Sequence, residues 1–336
     1  MSNDAPKASV GTAPAVADRT RAPQIPDHEL LRRIGGGSYG DVWLARNVMG
    51  TCRAVKVIYR SSFEHDRPFE REFEGMQRFE PVSRSHEGLV DILQMGRNDP
   101  AGYFYYVMEL ADDAQPERSD GQPSATQPSS TPALRDPSSY VPKTIKSEIY
   151  HRGRLTLEEC LRWGLFLTDA LGHLHKHGLI HRDVKPSNII FVHGVPKLAD
   201  IGLVAEVGQT VSFVGTEGFI PPEGPGTPQG DLYSLGKVLY EISTGKDRQD
   251  YPEPPTNLAE LGEQDGLLEL NEVIFKACAP DARKRYQSAE EMHHDLVLVR
   301  SGKSVKRLHS MERRLALATK IGFGIALLAL LAGGAY

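Results

Sequence analysis

The sequence is poor in cysteine. Only Cys52, Cys160 and Cys278 occur in 336 residues, widely spaced and with no CxxC pair. That argues against a disulfide framework and a thiolate zinc site, and it fits a reducing compartment. The first 26 residues have no apolar run, hence no secretory h-region. Their Ala, Pro, Thr and Ser content predicts a disordered arm over 1–26. Internal repeats are lacking. So is any excess of positive charge: the net charge is −5, which gives no global sign of a nucleic-acid partner, and none is expected.

What is present divides in two. Residues 29–110 read as strands with one helix: the apolar runs LLRRI, DVWLA, AVKVI and YFYYVMEL are split by turn signals. Phe69, Phe73 and Met76 recur at helical spacing within 68–79. Residues 112–142 are dominated by Pro, Ser, Asp, Gln and Thr and predict a disordered insertion, because such a stretch buries too little surface to offset its ordering entropy. Beyond it the chain reads as mainly helical. Thr156 and Glu159 form a capping box for a helix that Gly178 can end. His193-Gly194 is a hairpin turn between short strands, and another helix over about 231–244 stops at Gly245. The expected class is α+β, with a β-rich small lobe over 27–111 and a helical large lobe over 143–300.

Gly35, Gly37, Gly40 and Val42 fit the pattern G-x-G-x-x-G-x-V, and Ser38 lies in the same loop. Backbone without Cβ atoms can approach phosphates closely and aim its N–H groups at them. A Rossmann fingerprint shares the first six positions but opens a helix, whereas DVWLA here continues as a strand. Lys56 follows in the next strand as a cation for the phosphates, and it needs a carboxylate to hold it. Glu72 is the first choice, since Met76 then falls one helical turn later on the core side. Glu70 and Glu74 are competing registers.

The densest signal is HRDVKPSN, His181 to Asn188. Phosphoryl transfer needs a carboxylate to orient the attacking hydroxyl, a cation for the transferring group and a metal ligand close by. Asp183, Lys185 and Asn188 supply those types. Asp200 lies twelve residues after Asn188 and can hold a Mg²⁺ that bridges phosphates.

Taken together, GGGSYGDV, AVK, HRDVKPSN, DIG, GTEGFIPPE, DLYSLG and a late Arg285 resemble the eukaryotic-type Ser/Thr protein kinases of bacteria. The resemblance covers about residues 28–300 and implies a bilobal protein-kinase-like fold with ATP and Mg²⁺ (or Mn²⁺) as cofactors and proteins as substrates. It implies that Ile34, Val42, Ala54 and Ile190 contact adenine. Glu109 and Ala111 would bond it through backbone groups, with Met108 as gatekeeper. Glu223 would pair with Arg285, Asp231 would brace the catalytic loop, and Met76, Ile92, His181 and Ile201 would form an apolar stack. Thr216 would be a structural hydroxyl beside that loop. Lys185 with Gly215-Thr216 resembles Ser/Thr rather than Tyr kinases. Arg182 would receive a phosphate carried by Thr210 or Ser212, unless both are ordinary loop hydroxyls. DIG stands where the family has DFG, and PPE where it has APE.

Two other functions compete. A pseudokinase scaffold commonly loses the lysine or an aspartate, yet Lys56, Asp183 and Asp200 are all present. A small-molecule kinase of related fold lacks a stretch like GTEGFIPPE. Finally, a basic segment over 301–314 precedes an apolar run over 315–336, interrupted by Lys320, that is long enough to span a bilayer. The basic residues predict a single-pass membrane protein with a cytoplasmic catalytic domain, the alternative being a final amphipathic or buried helix. With no polar tail after the span, the chain reads as part of a longer protein.

Overall fold

The computed structural model describes residues 22–37, 40–115, 136–200, 205–206, 216–255, 262–308 and 310. The chain divides into two compact units. One takes Met1–Glu74, Ile92–Leu110 and Gly121–Tyr140; the other takes Gly75–Asp91, Ala111–Asp120 and Val141–Tyr336. The order is the expected one for an α+β chain, an antiparallel sheet followed by a mainly helical region.

In the first unit, β1 (His28–Gly36), β2 (Gly40–Asn47), β3 (Cys52–Tyr59), β4 (Ile92–Asn98) and β5 (Tyr103–Met108) pair in the order β1-β2-β3-β5-β4. Side chains alternate between faces along a strand. Val55, Val57 and Tyr59 therefore join Ala45, Tyr103, Tyr105 and Val107 in one core, against which Leu30 and Trp43 pack. The opposite face carries Ala54, Lys56 and Ile58. On it Phe104 meets Phe69 and Phe73 of α1 (Asp66–Ser83), each with ring centroids 5.2 Å apart. Helix α1 is longer at both ends than the 68–79 pattern, and it crosses from the first unit into the second after Glu74.

The expected arm over 1–26 gives way before its end. Ile25 is buried in the sheet core, and the Gln24 carbonyl accepts the Tyr103 hydroxyl at 2.7 Å. The expected insertion over 112–142 likewise gives way at both ends. Ala114 N–H donates to the Val141 carbonyl and Lys143 N–H to the Asp112 carbonyl, both at 2.8 Å, while Tyr140 is buried. Averaged composition concealed one aromatic anchor and a short pairing of the segment's ends.

The second unit holds α2 (Ile145–Arg152), α3 (Leu157–Lys176), α4 (Pro228–Thr244), α5 (Gln264–Ala277) and α6 (Ala289–Arg300). It also holds the short pairs β6 (Leu179–Ile180) with β9 (Ala205–Glu206), and β7 (Ile189–Val192) with β8 (Val195–Leu198). The Thr156–Glu159 capping box starts α3, and Gly178 follows its end. Thr227 caps α4, which begins three residues earlier than the sequence pattern suggested, and Gly245 in the left-handed region ends it. No described helix is long and apolar enough to cross a membrane. The span expected over 315–336 lies outside the described residues.

Gly40 tests the sheet. A Cβ there would lie 2.0 Å from the Val57 carbonyl oxygen, whereas one on Gly37 would meet nothing within 4 Å. Gly40→Ala should therefore destabilise the fold by about 1–3 kcal/mol in thermal melts, and Gly37→Ala should leave the melting temperature unchanged. Glu159 gives a pH test. The hydrogen bond from Arg152, opposed by burial and aided by Thr156, holds its carboxyl down to about 2. A depressed carboxyl contributes stability above its unfolded pKa and loses it as pH falls. The gap in stability between the wild type and Glu159→Gln should thus be full near pH 7 and shrink as pH falls from about 4.5 to about 2.

Candidate active site

The sheet unit carries the glycine hairpin and the lysine. Gly35 pairs with Val42 and Gly36 with Asp41, and the Gly37 N–H donates to the Gly40 carbonyl at 2.9 Å. The chain continues as β2 after the glycines, which excludes the Rossmann alternative. Ser38 lies outside the described residues. Ile34 sits at an irregularity of β1, half-buried, where Arg33 and Gly35 keep partners and it does not. Lys56 is buried in β3, opposite Val42 on one side and Tyr106 on the other. The next row is Leu44, Ala54 and Met108, with Ile92 beyond, and half-buried Glu109 follows β5.

The register of α1 separates the three glutamates. Glu70 takes a two-pronged ion pair from Arg97 of β4, at 2.6 and 2.7 Å, and that hydrogen bonding holds its carboxyl below the usual range. The Arg97 guanidinium also lies over the rings of Phe69 and Phe73. Glu74 is exposed. Glu72 is half-buried and acts on Tyr106, the cross-strand neighbour of Lys56: burial, then the Glu72 charge, push the Tyr106 hydroxyl well above its ordinary range. Of the three, Glu72 is the one whose charge reaches the cross-strand neighbour of Lys56.

The helical unit carries the HRDVKPSN segment, the candidate catalytic one, between β6 and β7. Asp231, in the first turn of α4, is buried there and accepts from the backbone N–H of His181 (2.9 Å) and Arg182 (2.8 Å) and from His175 Nε2 (2.8 Å). Burial works to raise its carboxyl, but the His175 hydrogen bond and the neighbouring histidines and N–H groups hold it below the usual range. Arg182 takes the left-handed conformation, φ 68°. His181 is buried with Nε2 3.2 Å from the Ala199 carbonyl oxygen, and burial lowers its imidazole pKa.

Asp183 is the focus of the segment. Its Oδ2 accepts from Lys185 Nζ at 2.6 Å and Asn188 Nδ2 at 2.8 Å. The Thr216 hydroxyl lies 2.8 Å from Lys185 Nζ and 3.4 Å from Asp183 Oδ1. With its nitrogen on Asp183, Asn188 has its amide oxygen 3.4 Å from the Ser187 hydroxyl, and that oxygen has a second lone pair for a ligand. The β7–β8 hairpin explains the spacing to Asp200. Ile189 pairs with Leu198, the Ala199 N–H donates to the Asn188 carbonyl at 2.8 Å, and Asp200 comes next, at φ 58°. Both turn residues, His193 and Gly194, have positive φ, as a tight hairpin needs. Ile190 is half-buried in β7, and Ala111 is buried at the start of this unit's Ala111–Asp120 stretch.

One amide oxygen and one carboxylate are hard donors. Among the described residues no group of three or more His, Cys, Asp or Glu could hold a metal. This donor set fits Mg²⁺, which keeps waters and takes phosphate oxygens, and does not fit zinc.

Residues 138–297 match the protein kinase domain family. Over that stretch the chain is similar to protein kinase domains. It is similar to the serine/threonine-protein kinase PrkC of Bacillus subtilis, 27% identical over 80% of this chain and 40% of that protein. It is also similar to the serine/threonine-protein kinase PknB of Mycobacterium tuberculosis, 29% identical over 88% of this chain and 47% of that protein. The chain thus spans less than half the length of these relatives. As the resemblance implied, Glu223 pairs with Arg285, at 2.5 and 2.9 Å. Ile201, Thr210 and Ser212 lie outside the described residues. Sequence reasoning missed His175 as the third donor to Asp231, and Arg97 as the partner of Glu70. Neither stands in a recognisable pattern, and each finds its partner only through the fold.

Asp231→Asn should lower the stability of the protein by about 1–3 kcal/mol, because an amide cannot accept all three donors and leaves at least one buried group unsatisfied. A thermal melt at pH 7 measures it; an unchanged melting temperature would contradict this account of the brace.

Proposed function

We propose that this kinase domain transfers the γ-phosphoryl group of ATP to serine or threonine hydroxyls of protein substrates. The observation that supports this reading most is the set of contacts on Asp183: Lys185, Asn188 and Thr216 hold one carboxylate in place beside a cation. Asp183 orients the acceptor hydroxyl and receives its proton as the oxygen bonds to the γ-phosphorus, while the bond from that phosphorus to the β-phosphate oxygen breaks and ADP leaves. Lys185 carries positive charge to the transferring group. Lys56 neutralises the α- and β-phosphates and is held by Glu72. Asn188 and Asp200 would hold a divalent cation, which would further neutralise phosphate charge. The glycine hairpin covers the phosphates, and the adenine contacts expected from the sequence go with the same reading.

The serine/threonine class rests on Lys185 and Gly215-Thr216 and on the names of the relatives. Attachment to a membrane through 315–336, with the kinase domain on the cytoplasmic side, is part of this proposal and rests on the sequence alone.

Incubating the purified chain with labelled ATP, Mg²⁺ and a generic basic protein tests the reading. Transfer to serine or threonine is expected. Asp183→Asn should lower the rate by about 10²–10⁴-fold while ATP binding, measured by calorimetry, persists. Turnover near the wild-type rate in that variant would remove Asp183 from the mechanism.

A further inference from the structure

Arg248 lies in the short turn after α4, outside every pattern read from the sequence. Its contacts reach the turn that follows Thr216. Arg248 Nε donates to the Glu217 carbonyl at 2.8 Å, and the guanidinium lies over the Phe219 ring, 4.9 Å from its centroid. Gly218, between those two residues, has φ +85°. A Cβ there would come within 2.9 Å of the Arg248 side chain. The turn is therefore shaped to receive this arginine. Arg248 is itself held by α4: its N–H donates to Glu241 Oε1 at 3.0 Å, and Nη1 lies 3.4 Å from the same oxygen. Lys237 Nζ donates to the Arg248 carbonyl at 3.3 Å. On the other side of the turn, the Ser234 hydroxyl of α4 donates to the Phe219 carbonyl at 2.8 Å, and the Phe219 N–H donates to the Thr216 carbonyl at 3.1 Å. Thr216 is the residue whose hydroxyl meets both Lys185 and Asp183.

We propose that Arg248 is a positioning residue for phosphoryl transfer: it fixes the Thr216–Phe219 turn to α4 and, through Thr216, the Asp183–Lys185 pair. The planar guanidinium suits the task because it stacks on a ring face while an edge N–H donates in its own plane. An ammonium cannot do both at once. Displacement of the turn misaligns Thr216 while the nucleotide-binding residues of the sheet unit stay untouched. The loss therefore falls on transfer to the acceptor and spares ATP affinity.

This inference rests on the kinase reading. The full chain is assayed with ATP, Mg²⁺ and a generic basic protein, alongside thermal melts. Arg248→Met should lower acceptor turnover by roughly tenfold, with the KM for ATP unchanged. Arg248→Lys should show the same split, because charge alone does not restore the geometry. The Arg248→Met, Thr216→Ala double variant should be no slower than Thr216→Ala alone, since one residue acts through the other. If Arg248→Met fails to fold, Arg248→Lys decides. Wild-type turnover in Arg248→Lys, a raised KM for ATP, or losses that multiply in the double variant would each overturn the proposal. Absence of transfer by the wild-type chain would overturn the kinase reading and this inference with it.

Discussion

The conformation of the HRDVKPSN segment depends on one buried charge. Asp231 is 1% exposed, and a carboxylate so placed is costly unless it is fully hydrogen-bonded. Two backbone N–H groups of that segment and one imidazole meet that need. Its place in the first turn of α4 helps, because the helix N-terminus favours negative charge. Held by successive N–H groups, Arg182 takes the left-handed conformation, and the chain turns so that Asp183 meets Lys185 and Asn188.

The same physics recurs elsewhere with other groups. Arg285 has no exposed side-chain surface; it pairs with Glu223, donates to the Ala279 carbonyl and lies over the Tyr233 ring. In the sheet unit Arg97 pairs with Glu70 and stacks on Phe69 and Phe73. Each arginine combines a directional pair with ring contact, so each fixes orientation as well as distance. For α1 the consequence is chemical: with Glu70 committed to Arg97, Glu72 is the one whose charge reaches Tyr106, the cross-strand neighbour of Lys56.

Much of this was legible locally. The glycine spacing, HRDVKPSN and the Thr156–Glu159 box are short-range patterns in which neighbouring residues carry the whole signal. The register of α1 was legible only as a preference for Glu72 from its spacing to Met76, because Glu70, Glu72 and Glu74 are alike in sequence and differ only in what the fold puts opposite them. The ends of the 112–142 segment misled for a related reason. Its polar composition is real, yet a single buried tyrosine, Tyr140, and a few backbone hydrogen bonds tie the ends down.

By itself the sequence determined the α+β class, the order of strands before helices, and the residue types of the HRDVKPSN segment. Those depend on periodicity, turn chemistry and spacing within a few residues. Only the tertiary structure decided which glutamate's charge reaches the cross-strand neighbour of Lys56, that His175 completes the brace on Asp231, and that Arg248 grips the Thr216–Phe219 turn. Each of these joins residues at least 16 positions apart. A charged side chain acts on whatever shares its burial and lies within a few ångströms, and one sequence records neither distance nor exposure.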